Sequence, residues 1–118
     1  MKETIKSIIE WSEETFGDNI TLKGQIKKFE DELDEWLESD REDIMELADM
    51  AIVACSVARF SFADTIELFQ RISYELSRTL YTGKELEKAI TKKMKINRKR
   101  KWSVGKGNYQ HISEGGEE

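Results

Sequence analysis

The sequence has no proline, one cysteine and one histidine. Without proline no position is barred from a helix interior. Its seven glycines fall mainly at Gly17, Gly24, Gly83 and among the last fourteen residues, so the composition favours helices. A lone thiol, Cys55, excludes an internal disulfide, and its apolar neighbours assign it to packing. No apolar run approaches the ~18 residues of a membrane span. Met1–Trp11 is amphipathic and charged, without the apolar centre of a secretory signal. A soluble, cytoplasmic protein is expected. Strand-like alternation and internal repeats are missing too. Gly105-Lys106-Gly107 lacks the spacing of a phosphate-binding loop.

Charge is what the chain has in excess. Charged residues make up 36% of its 118 residues, against about 25% in an ordinary domain. The net charge is −5, but the two signs are segregated. Residues 30–49 hold eleven acids and one arginine, a sum of −10, whereas residues 84–106 hold ten basic residues against Glu85 and Glu87, a sum of +8. A length of 118 residues suits one domain, with a core small enough to gain from oligomerisation.

Apolar residues recur at helical spacing through most of the chain. Ile5, Ile8, Ile9 and Phe16 place a first helix over 2–16, ended by Gly17. Thr21 caps a second over 22–38, striped by Ile26, Phe29, Leu33, Trp36 and Leu37. Ser39 with Glu42 fits a capping box for a third over 40–60. After Ser61, a fourth over 62–79 carries Ile66, Phe69, Ile72 and Leu76. Thr82 with Glu85 repeats the capping pattern before a fifth over 84–101. Residues 1–102 thus read as an all-α bundle of four to five helices, and 103–118 as an irregular C-terminal tail.

Like charges three or four apart destabilise a helix, so the acidic run needs a reason. Acidic runs are usually solvated faces, and Glu30, Asp34, Glu38, Glu42 and Asp43 fit that description. Glu32 and Glu35 are different: they lie three apart at the edge of the second helix's apolar stripe, with Asp31 beside them. Glu46 and Asp49 repeat the device on the third helix, on a face that continues into Met50, Val53 and Val57. From Met50 to Ala58 that helix is apolar almost all round, as a buried helix is. Sheltering four carboxylates is very costly unless cations hold them. Mg²⁺ and Mn²⁺ prefer oxygen ligands, so two acidic pairs on neighbouring helices describe a divalent-metal site.

The spacing Asp31-Glu32-x-x-Glu35, then Glu46-x-x-Asp49, resembles the EExxE…ExxD signature of the MazG-like all-α nucleotide pyrophosphohydrolases. Further pieces, in order, resemble the dATP/dGTP pyrophosphohydrolase branch, which includes phage MazZ-type enzymes. These are Trp11…Thr15-Phe16-Gly17, Thr21-x-x-Gly24, Lys93…Asn97-x-x-Arg100-x-Trp102 and His111-Ile112. Together they span about residues 10–112. The chain departs from the pattern at Asp31, where glutamate is usual, and in 61–81, which is longer than the branch's short connection and adds a helix.

The resemblance implies hydrolysis of a purine deoxynucleoside triphosphate, dGTP or dATP with GTP as a third possibility, to the monophosphate and pyrophosphate. It implies Glu32, Glu35, Glu46 and Asp49 as ligands to Mg²⁺, with Mn²⁺ able to substitute and two or more ions per site. Water made acidic by the metal would attack the α-phosphorus, with Glu35 or Asp31 as the proton acceptor. Lys93, Asn97 and Arg100, at 0, +4 and +7 on the fifth helix, are the candidates for phosphate or sugar contacts. Trp102, Trp11 and Phe16 are candidates for stacking the base, with packing an equal alternative for the last two. A homodimer or homotetramer in a bacterial cytoplasm or phage-infected cell is implied as well. The competing reading is a helical nucleic-acid-binding or interaction module using the basic 92–102 segment. The net charge and the acidic cluster argue against nucleic acid as the principal partner.

Overall fold

The computed structural model describes residues 3–105 and 107–111. Its five helices are α1 (Ile5–Phe16), α2 (Leu22–Glu38), α3 (Ile44–Val57), α4 (Phe62–Ser77) and α5 (Gly83–Asn97). The all-α reading is right for the body of the chain. A two-stranded antiparallel hairpin follows, β1 (Trp102–Gly105) paired with β2 (Asn108–His111) in the register Trp102↔His111 and Gly105↔Asn108. The expected irregular tail is therefore wrong for 103–105 and 107–111, where Gly107 takes φ +79 between the strands. The rest of that expected tail, 106 and 112–118, lies outside the described residues.

Caps set most helix boundaries. Thr4 and Thr82 each close a capping box, with Ser7 and Glu85 as the reciprocating side chains. Thr21 and Ser61 accept from the backbone N–H of Gly24 and Asp64. The expected start of α3 is corrected: the cap is Asp43, and 39–43 form a turn in which Asp40 and Arg41 both take φ +59. That left-handed conformation is unfavourable for arginine. It is held by a long-range tether, since Arg41 Nε donates to Glu75 Oε1 at 2.6 Å. Glu75 is fully buried on α4 and also accepts from Trp36 Nε1 at 3.0 Å and Arg71 Nε at 2.8 Å. Burial alone would push its carboxyl up, but these three donors outweigh burial and hold it below the usual range.

Helix α3 is the axis of the molecule. Leu47, Ala48 and every residue from Met50 to Val57 are buried, consistent with its unbroken apolar sequence. One side packs with Phe29 and Trp36 of α2, Ile72 of α4 and Leu86 and Ala89 of α5. The other side, through Ile52 and Cys55, meets Ile8, Trp11 and Phe16 of α1 and Met94 of α5. Burial pushes the Cys55 thiol up to about 12, which keeps it protonated and inert. Among the described residues no helix is long and apolar enough to cross a membrane.

Besides the ring contacts of Trp102 at its start, the hairpin is bonded back to the bundle through its turn. Thr21 N–H donates to the Gly107 carbonyl at 2.7 Å. A Cβ at Gly24 would overlap that same carbonyl group, so only glycine lets the turn sit this close to α2.

Candidate metal centre

Helices α2, α3 and α5 leave a cleft of about 210 Å³ between them. Its walls are Lys28, Glu32 and Glu35 from α2, Glu46, Asp49, Ile52 and Val53 from α3, Lys93 and Asn97 from α5, and Arg100 and Trp102 beyond it. The i,i+3 spacing of each acidic pair puts both its carboxylates on the side of the helix facing the other pair.

Carboxylate oxygens of Glu32, Glu35 and Glu46 lie within 4.8 Å of one another. Asp49 stands one turn further along α3, with Oδ2 3.4 Å from Lys93 Nζ. On the opposite side Lys28 Nζ reaches Glu32 Oε2 at 3.3 Å. These lysines are only 12% and 17% exposed, so they are committed to the cleft. Four carboxylates against two ammoniums and the Arg100 guanidinium still leave a deficit of positive charge.

Titration reflects that deficit. The Glu46 carboxyl is pushed up to about 7, first by burial and then by the charges of Glu35 and Glu32. Asp49 is pushed up to about 7 as well, by burial and then Glu32, with Lys93 opposing. Glu32 is raised by burial, against the pull of Lys28. Glu46 Oε2 is buried with no hydrogen-bond donor. An oxygen-only donor set, short of positive charge and with one oxygen unsatisfied, fits a hard divalent cation.

The basic wall is equally specific. Lys93, Asn97 and Arg100 all line the cleft, but α5 ends at Asn97, so Arg100 enters from the following turn instead of the expected helix. Asn97 is 5% exposed, and its side-chain Oδ1 is buried without a partner. Its backbone carbonyl accepts from Trp102 Nε1 at 3.2 Å, which fixes the indole at the cleft's edge.

Three candidates fall elsewhere. Asp31 points away from the cleft, 42% exposed and paired with Lys27 Nζ at 2.7 Å. The 100° step from Glu32 carries it to solvent. Trp11 and Phe16 are buried behind Trp102, edge-on to it at 5.9 and 5.6 Å between ring centroids, and edge-on to each other at 5.3 Å. They pack under the wall and do not line it. Lys28 was missed by the sequence reading, although its position four residues before Glu32 is the spacing of an intrahelical ion pair.

No family model, no curated protein and no solved structure matches this chain.

Proposed function

We propose that the protein is a metal-dependent nucleoside triphosphate pyrophosphohydrolase. Its substrate is a purine nucleotide, dGTP or dATP with GTP as a third candidate, and its products are the monophosphate and pyrophosphate. The observation that carries this reading is the pairing of two unlike walls in one cleft. Three carboxylates crowd within 4.8 Å of one another on one side, and Lys93, Asn97 and Arg100 face the same space.

Glu32, Glu35, Glu46 and Asp49 would hold Mg²⁺ or Mn²⁺. The ion, when bound, offsets the charge of acids and phosphates and acidifies water. Lys93 is paired with Asp49 in this state; an arriving triphosphate gives its ammonium a more highly charged partner and releases the Asp49 oxygen. Arg100 offers a planar fork to phosphate oxygens. The unpartnered Asn97 Oδ1 accepts from a donor on the sugar or base. Trp102 gives a purine a face to stack on. Glu35 is the remaining candidate for taking the proton from water, since Asp31 is engaged with Lys27 in solvent. Assembly as a dimer or tetramer belongs to the same reading.

The test is incubation with each of the eight common NTPs and dNTPs in Mg²⁺ or Mn²⁺, with the products resolved. Monophosphate plus pyrophosphate from a purine nucleotide is expected. Glu32→Gln and Asp49→Asn should each remove most turnover with helicity intact. Diphosphate plus phosphate, or no turnover with any nucleotide, would overturn the reading.

A further inference from the structure

Helix α5 presents two basic faces, and the cleft uses only one. Lys93 and Asn97 lie on its inner side with the buried Leu86, Ala89 and Met94. The other lysines are sorted onto the opposite side. Lys84, Lys88, Lys92, Lys95 and Lys99 are all exposed. At 100° per residue Lys84, Lys88, Lys92 and Lys95 fall within an arc of about 80°, centred nearly opposite the buried residues, and Lys99 follows in the turn just beyond the helix. On the helix their spacing of four, four and three makes a straight row about 16 Å long at 1.5 Å per residue, which Lys99 extends.

Among the described residues none of the five makes an ion pair, whereas Lys27, Lys28, Lys93 and Arg98 all do. Glu85 and Glu87 flank the row without entering it. Glu85 is turned back to the helix start, accepting from Thr82 N–H at 2.8 Å. The like charges on the helix oppose its formation at the i,i+4 steps Lys84–Lys88 and Lys88–Lys92 and at the i,i+3 step Lys92–Lys95. The row therefore costs stability when it faces only water, and an anionic polymer relieves that cost.

We propose that this outer face of α5 is a nucleic-acid docking surface that grips phosphodiester backbone without reading sequence. Phosphates are the fitting partner because the row is linear and purely cationic, and the half-exposed Ile96 beside it is a single apolar side chain and not a seam. Proteins that dock on helices usually bury an apolar seam as well. The acidic cleft does not forbid this docking. It lies across the helix, about 10 Å away, which is about one Debye length at physiological salt. The surface leaves the cleft open, and the proposal stands whether or not the cleft hydrolyses nucleotides.

The experiment is fluorescence anisotropy with a labelled 20-nucleotide single strand and a 20-base-pair duplex, in EDTA, between 25 and 200 mM KCl. Five phosphate contacts give a slope of log K against log salt of about −4.5 on duplex and about −3.5 on single strand. Replacing Lys88, Lys92 and Lys95 together by alanine, a good helix former, should flatten the slope by about 2.7 and 2.1 respectively. Its circular dichroism should match the parent's. Absence of binding to both probes at 25 mM KCl would overturn the proposal. So would a slope unchanged in the triple variant. Displacement of the probe by polyglutamate at an equal concentration of charge would assign the face to an acidic protein instead.

Discussion

Glu46→Gln should make the metal-free protein more stable, and only at pH values where the carboxyl is ionised. The carboxyl titrates at about 7 in the folded chain against an ordinary 4.5. Between those values the folded state holds a proton that the unfolded chain has released. Stability therefore falls as pH rises through that window and levels off above about 7. At about 1.4 kcal/mol per pKa unit, the full cost of the ionised group is about 3 kcal/mol. Water reaching this half-buried side chain screens part of it, leaving about 2 kcal/mol. Glutamine removes the charge, keeps the shape, and can donate to Glu32 or Glu35. For a domain of this size the gain is about 8 °C in Tm. The assay is thermal unfolding followed by circular dichroism in EDTA, at about pH 8.5 and about pH 4. The gain should appear at the first and vanish at the second. Mn²⁺ should then reverse the order, because a ligand at a hundred times its Kd stabilises the parent by about 2.7 kcal/mol and the variant has lost one of the oxygens that would hold it. A variant less stable than the parent at alkaline pH without metal, or a gain that persists in acid, would refute the electrostatic account of the cleft.

Two further outcomes follow from packing. Gly24→Ala forces a methyl group against the Gly107 carbonyl, so the turn must lift from α2; a loss of about 1–3 kcal/mol is expected. Hydrogen exchange checks it: the Thr21 amide, bonded to Gly107 in the parent, should lose its protection, and unchanged protection would contradict the seat. Glu75→Ala strips the acceptor from Trp36, Arg41 and Arg71; the two guanidiniums are part-exposed and the buried indole N–H is left unsatisfied, so about 1–3 kcal/mol should be lost in urea unfolding. Because the Glu75 carboxyl is held low, its contribution is present above the ordinary carboxylate range and is lost as pH falls below it. Glu75→Gln should remove that acid-sensitive part, and an identical acid limb in parent and variant would count against the clamp.

Much of the fold could be read from local chemistry. Caps at Thr21 and Thr82 are decided within three residues of chain, and the two acidic pairs obey helical geometry alone. What the sequence concealed depends on partners far along the chain. Asp43, not Ser39, caps α3 because Glu75 draws Arg41 into a left-handed turn. Trp102 is held by the Asn97 carbonyl, and the hairpin that follows it is seated by Gly24. A glycine read in isolation predicts freedom, whereas here it supplies space for another strand's turn. The aromatic residues misled for a similar reason: Trp11, Phe16 and Trp102 have like chemistry, and only the third lies at the cleft's surface. On α5 the face of Lys93 and Asn97 could be read from spacing, and burial of Leu86 and Met94 agrees with it, whereas the outward row of lysines was not singled out.

The edge-on contact between Trp11 and Trp102, with ring planes at 71°, has an optical consequence. Two indoles this near and this inclined are expected to exchange excitation through their strongest transitions, giving a paired circular-dichroism signal of opposite signs in the far ultraviolet. One indole is locked in the core and the other borders the cleft, so the signal reports the cleft's edge directly, with no label attached. Trp36 sits apart against Glu75 and contributes a separate background, so any ligand that reorients Trp102 would change the couplet while leaving that background in place.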